Sequence, residues 1–166
     1  MTQREFPVSP LVGVGAVVVD ESGRVLLIRR DTEPRKGEWS IPGGLIELGE
    51  SLREGCQREV TEETGLFVTP EAIVDVIDRI YRVSDDEGAQ VRYHYVVVDY
   101  WCRVSGGYLK PASDASEVAW VSRAEWIDTN VYSLETITVQ VIEKGWQMAR
   151  EAGFSCSRRD FSGGCL

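Results

Sequence analysis

Long apolar runs are missing from this sequence. The longest, Leu11–Val19, is broken by Gly13 and Gly15 and falls well short of the roughly 20 residues that a membrane-spanning helix needs. The first residues carry Arg4, Glu5 and two early prolines rather than the apolar centre of a signal peptide, and the fourth residue from the end is Gly163, not a cysteine that could be prenylated. No membrane attachment is expected. Histidine is nearly absent, with His94 alone, and the four cysteines (Cys56, Cys102, Cys156 and Cys165) lack paired short spacings. That argues against a zinc site and against a disulfide framework, and it reads as reduced thiols in a cytoplasmic protein. Only Cys156 and Cys165 are spaced to close a small loop. Basic residues are also in deficit, 18 against 27 acidic, for a net charge of -9. A nucleic-acid binder that neutralises phosphates would be basic, so no nucleic-acid partner is expected. An acidic chain can still take an anionic small molecule if metal ions bridge the two.

What is present fits one domain with short tails. The 166 residues suffice for a single sizeable core, and no internal repeat or low-complexity block divides them. Residues 1–10 read as a lead-in, 11–152 as the domain and 153–166 as a mobile tail. Leu11–Val19 and residues 24–30 are strand-like, with a hairpin turn at 20–23. Residues 31–44 hold Pro34, Gly37, Pro42, Gly43 and Gly44 and are expected to form a loop. Residues 51–64 read as a helix: Ser51 and Glu54 supply a capping box, and Gly65 stands where a left-handed cap is needed. Further strands are expected over 73–83, 91–104 and 117–121, with a turn at 84–88, and a last helix over 133–152. Strands interleaved with two helices suit an α/β sandwich in which helices cover a mixed β-sheet.

The helix at 51–64 carries the chemistry. Leu52, Cys56 and Val60 make an apolar stripe, while Glu59, Glu62 and Glu63 cluster at three- and four-residue spacing. Glu63 falls on the stripe itself, which puts the acidic patch at the edge of the core. Carboxylates held together disfavour their charged forms, and a hard divalent cation relieves that conflict; all-oxygen ligation suits magnesium or manganese. A Gly-Gly pair precedes the helix and lets backbone approach a ligand closely. Gly55 costs the helix about 1 kcal/mol relative to alanine, which is either tolerated or reflects a close approach of the preceding loop.

These residues resemble the box of the Nudix hydrolase family. The match runs from Gly44 through five residues to Glu50, through seven more to Arg58 and Glu59, and on through Val60, Glu62, Glu63, Gly65 and Leu66. The approach to the box, with Gly37, Trp39, Pro42, Gly43 and Gly44, is also similar. The resemblance implies an α/β/α sandwich and the metal-dependent hydrolysis of a phosphoanhydride bond in a nucleoside diphosphate derivative. It implies that Glu59, Glu62 and Glu63 hold Mg2+ or Mn2+ with the carbonyl of Gly43, and that Arg58 pairs with Glu50 to brace the loop on the helix. Glu59 and Glu47 are both candidates for the general base, and Asp114 and Glu117 lie where some relatives place a further carboxylate.

Substrate contacts are expected from Arg30 and Trp39, with Arg29 and Arg82 as other cations that could meet phosphate or ribose. His94, on an alternating strand, reads as structural. The overall look is similar to the ADP-ribose pyrophosphatase group, although Tyr81 stands where that group often has a proline. A coenzyme A signature is echoed only in part by Leu26, Leu27, Arg30 and Arg35. Two alternatives stay open: a nucleoside triphosphate pyrophosphohydrolase, and a nucleotide-sensing module without catalysis. A homodimer is left open too.

Overall fold

The computed structural model describes residues 3–85 and 88–153. The tail beyond 153, with Cys156 and Cys165, and the centre of the turn expected at 84–88 lie outside the described residues. In chain order the strands are β1 (Leu11–Val19), β2 (Val25–Arg30), β3 (Trp39–Ser40), β4 (Gly43–Leu45), β5 (Leu66–Asp85), β6 (Gly88–Gly107) and β7 (Ala115–Val121). Helix α1 (Leu52–Thr64) lies between β4 and β5, and α2 (Arg123–Ile127), α3 (Thr129–Tyr132) and α4 (Thr136–Glu151) follow β7.

The strands form one mixed sheet in the order β3-β2-β1-β6-β5, with β4 pairing β1 and β7 pairing β2. Among the described residues only the β1–β6 pairing is parallel; the others are antiparallel. Strand β1 is buried from Gly13 to Val19, which explains why it reads as a nearly continuous run of valines and small residues rather than as an alternation of apolar and polar ones. Its two faces feed two cores. Val14, Ala16 and Val18 pack with Leu26, Cys56 and Val60 beneath α1. Val17 and Val19 pack with Leu27, Trp126, Val141 and Ile142 beneath the helices at the C-terminal end. Helices on both faces make the expected α/β/α sandwich.

Several extents differ from the sequence reading. The segment 31–44, expected as loop throughout, contains β3 and the start of β4, because Trp39 and Ser40 pair with Arg29 and Ile28, and Gly43–Leu45 pair with β1. Strands β5 and β6 are twenty residues each, much longer than expected, since the hairpin absorbs its irregularities as bulges near Val68, Ala72, Asp75 and Arg82. The last helix begins at Thr136, and the short α2 and α3 precede it.

Candidate active site

Helix α1 has the ends its sequence demands. The Ser51 side chain accepts from the Glu54 N–H, the Glu54 carboxylate accepts from the Ser51 N–H, and Gly65 closes the helix at φ 71° with its N–H on the Thr61 carbonyl. The helix is thereby fixed in register against the β4 backbone. A Cβ placed on Gly44 would overlap the Glu59 carboxylate, and one on Gly43 would come within 2.9 Å of the Gly15 Cα. The Gly43 N–H donates to Glu63 Oε2 at 2.9 Å. Two glycines are therefore required here for contact, since a side chain on Gly44 would collide with the Glu59 carboxylate and one on Gly43 with the β1 backbone.

Arg58 is the brace between loop and helix. Its Nε and Nη2 donate to the two oxygens of Glu50 at 2.7 and 2.9 Å, a bidentate pair. Nη2 also reaches the Leu45 carbonyl at 2.9 Å, and Nη1 reaches Glu59 Oε1 at 2.8 Å and Glu62 Oε2 at 3.2 Å. The Glu50 carboxyl is held below its usual range by the Arg58 hydrogen bond, helped by the Glu47 N–H. Gly55 now has its reason: a Cβ there would meet the Ile46 Cδ1 and, at 2.9 Å, Glu50 Oε2, so the close approach of the loop explains it rather than simple tolerance.

The acidic patch divides by burial. Glu63 is 4% exposed, and its carboxyl is pushed up to about 8, chiefly by burial. The Gly43 N–H and the Arg30 charge oppose that shift, while Glu59 and Asp114 add to it. Burial also raises Glu59, against the Arg58 hydrogen bond, with Glu62 and Asp114 adding their charge. Glu62 is half exposed. Asp114 thus sits close enough for its charge to be felt at both inner glutamates. Glu117 does not join the cluster; it is exposed and paired with Arg29 at 2.7 Å. Glu47 is exposed on the loop before α1.

This donor set fits a hard divalent cation, which would relieve the charge conflict between Glu59, Glu63 and Asp114 with oxygen ligands alone. Among the described residues no three of His, Cys, Asp or Glu converge as a ready-made metal cage; Arg58 spans Glu59 and Glu62 instead. An ion shared by those two carboxylates would have to draw them from Nη1, leaving the Glu50 pair as the anchor.

A cavity opens beside this cluster. Gly43 and Gly44 form one wall, Gly13, Gly15, Val97 and Asp99 line it from β1 and β6, and Arg4, Arg30, Arg35 and Arg79 bring positive charge to it. Arg30 and Trp39, both expected to meet substrate, line the cavity, and Trp39 also packs edge-on against Tyr132 at 5.0 Å between ring centroids. Tyr81 lines it as well. Arg29 and Arg82 are exposed, and His94 alternates away from the face that Tyr95 and Val97 present. Sequence reading did not single out Asp99, Arg79, Tyr95, Glu135 or Thr138 as cavity residues. Arg79 and Arg35 both pair with Glu135, and Arg79 Nη2 donates to Thr138 Oγ1 at 3.1 Å.

Comparison with known proteins points the same way. The family model described as the NUDIX domain matches residues 9–139. A MutT-like protein of Streptomyces ambofaciens is 36% identical over 128 residues, covering 75% of this chain and 74% of the relative. An ADP-ribose pyrophosphatase of Methanocaldococcus jannaschii is 34% identical over 121 residues, covering 73% of this chain and 63% of that protein. The solved NUDIX domain of Shewanella oneidensis NrtR, complexed with ADP ribose, superposes with a TM-score of 0.62 at 25% identity over 87% of this chain and 88% of that one.

Proposed function

This chain belongs to the NUDIX family of hydrolases, and from that premise we propose that it cleaves a phosphoanhydride bond in a nucleoside diphosphate joined to a second group, with ADP-ribose-like compounds favoured. The observation that carries the reading is the Gly43–Gly44 backbone laid against the Glu59 and Glu63 carboxylates at the wall of an arginine-lined cavity. Glu59, Glu62, Glu63 and the Gly43 carbonyl would hold Mg2+ or Mn2+. The bound ion would neutralise the diphosphate and lower the pKa of its water. Arg58, anchored on Glu50, keeps helix and loop in register so that Glu59 stays against Gly44. Glu59 or the exposed Glu47 takes the proton from the attacking water. Arg30 and Trp39 hold the substrate in the cavity, where Arg30 also offsets the charge at Glu63.

The same box leaves room for a second reading, cleavage of a nucleoside triphosphate to the monophosphate and pyrophosphate. Product analysis separates the two. Purified protein would be incubated with ADP-ribose, dinucleotides, coenzyme A and nucleoside triphosphates, with Mg2+ or Mn2+ or with chelator. AMP and ribose 5-phosphate from ADP-ribose, only with metal, and a loss on the order of a hundredfold or more in Glu63→Gln are expected. Binding of ADP-ribose with metal present and no product from any compound would replace hydrolysis with a sensing role.

A further inference from the structure

Asp99 is a carboxylate in the middle of an apolar strand, and it is 2% exposed. Its place is prepared on the neighbouring strand: Gly15 pairs with Asp99, and a Cβ on Gly15 would overlap Asp99 Oδ1. Asp99 is among the residues that line the cavity, and its buried Oδ2 has no hydrogen-bond partner among the described residues. Burial pushes the Asp99 carboxyl up to about 6, with Arg79 opposing and Asp75 adding to the shift. Arg79 does not satisfy Oδ2, since its Nη1 and Nη2 donate to Glu135 and Thr138. Asp75, opposite Asp99 on β5, is itself paired with Lys144. A buried acceptor without a donor is costly to fold and is retained where a donor arrives from elsewhere.

The position tells which part of a substrate could arrive. Gly43 pairs with Gly15 and Gly15 with Asp99, so the three lie on one line across β4, β1 and β6. Two strand spacings are about 10 Å, roughly the reach from a cleaved diphosphate across a ribose to its base. The same cavity presents Trp39, Tyr81 and Tyr95, flat surfaces suited to a planar ring.

On the reading that this cavity takes a nucleoside diphosphate derivative, we propose that Asp99 determines base specificity by accepting a hydrogen bond through its carboxylate from an N–H of the substrate's nucleobase. A site built around a donor rejects analogues that lack it, because the buried acceptor is then left unpaired.

The test compares wild type with Asp99→Asn and Asp99→Ala on nucleoside diphosphate sugars carrying adenine, guanine, cytosine or uracil. Alongside, NMR titrations measure binding of the four nucleoside monophosphates and of ribose 5-phosphate without metal. The isosteric Asn variant keeps the volume, and a native spectrum certifies its fold. Expected is a cut of at least about tenfold in the ratio of kcat/KM between the best and worst base, carried by KM, with ribose 5-phosphate binding unchanged. An unchanged ratio would overturn the assignment, as would an equal loss for ribose 5-phosphate, which would make the donor a sugar hydroxyl. If no compound is hydrolysed but the NMR ratios shift in the variants, the proposed hydrolysis fails and the role of Asp99 stands. No nucleotide binding in wild type would overturn both.

Discussion

Arg58 shows how much one side chain organises. It donates to Glu50, Glu59, Glu62 and the Leu45 carbonyl at once, and it is the planar fork of the guanidinium that lets Nε and Nη2 engage Glu50 together. Arg58→Lys is therefore expected to behave like Arg58→Ala, losing roughly 2 kcal/mol in urea unfolding and most of the hydrolysis rate. Near-wild-type stability and rate in the lysine variant would mean that charge alone suffices. Asp99 makes a prediction of opposite sign. Its carboxyl lies near 6 in the fold against an ordinary 3.8, so the folded chain holds this proton more tightly than the unfolded one. Stability should then fall as pH rises from about 4 to about 6, by at most about 3 kcal/mol, and stay lower above that. Asp99→Asn removes this share of the slope: the two proteins should unfold alike near pH 4, and the variant should be the more stable at pH 7 to 8. Parallel stability curves across that range would show that the carboxylate is solvated after all.

At the scale of elements, helix–strand contact distances decide what substitution each element tolerates. Gly145 lies where α4 crosses β1, and a Cβ there would stand 2.8 Å from Val17 Cβ, a stiff, fully buried side chain. Alanine gains about 1 kcal/mol of helix propensity, but overpacking costs typically about 1–3 kcal/mol. Gly145→Ala is expected to lower the unfolding midpoint despite its better propensity; a raised midpoint would show that α4 can lift off the sheet. The same scale explains what could be read from sequence. Helix α1 was legible because its caps are local: Ser51, Glu54 and Gly65 act within their own turn. The pairing of Arg58 with Glu50 was legible from the box for a similar reason. Strands β3 and β4 were hidden because glycines and a proline mask pairings set by distant partners. The lengths of β5 and β6 were obscured by the bulges, which break alternation near Ala72 and Asp75. Asp99 had a visible signal, a lone charge inside the run from Val96 to Cys102, but its meaning depends on Gly15 and the cavity, which only the fold supplies. Glu135 likewise gains a role only because it meets Arg35 and Arg79 from other elements.

For the whole molecule, the interior joins segments that are far apart in sequence. Cys56 on α1 and Cys102 on β6 are both free and buried, with their sulfurs 3.6 Å apart, and the hydrogen bond with Cys56, together with burial, raises the Cys102 pKa. Peptide mapping after treatment with a thiol reagent should therefore find both unmodified in the native protein, reacting only at the rate of global unfolding. Faster labelling would reveal a local opening of α1 from the sheet. The parallel pairing of β1 with β6 has a consequence for how the protein is made. Helix α1 and the β5–β6 hairpin can form from neighbouring residues, but Gly15 and Asp99 are about 80 positions apart, and closing that distance carries a large loop entropy. A chain emerging during synthesis would possess its acidic helix well before the line from Gly43 through Gly15 to Asp99 exists. Ligand binding then waits for the closure of β1 on β6, and a nucleotide bound in the cavity would hold that seam shut by mass action.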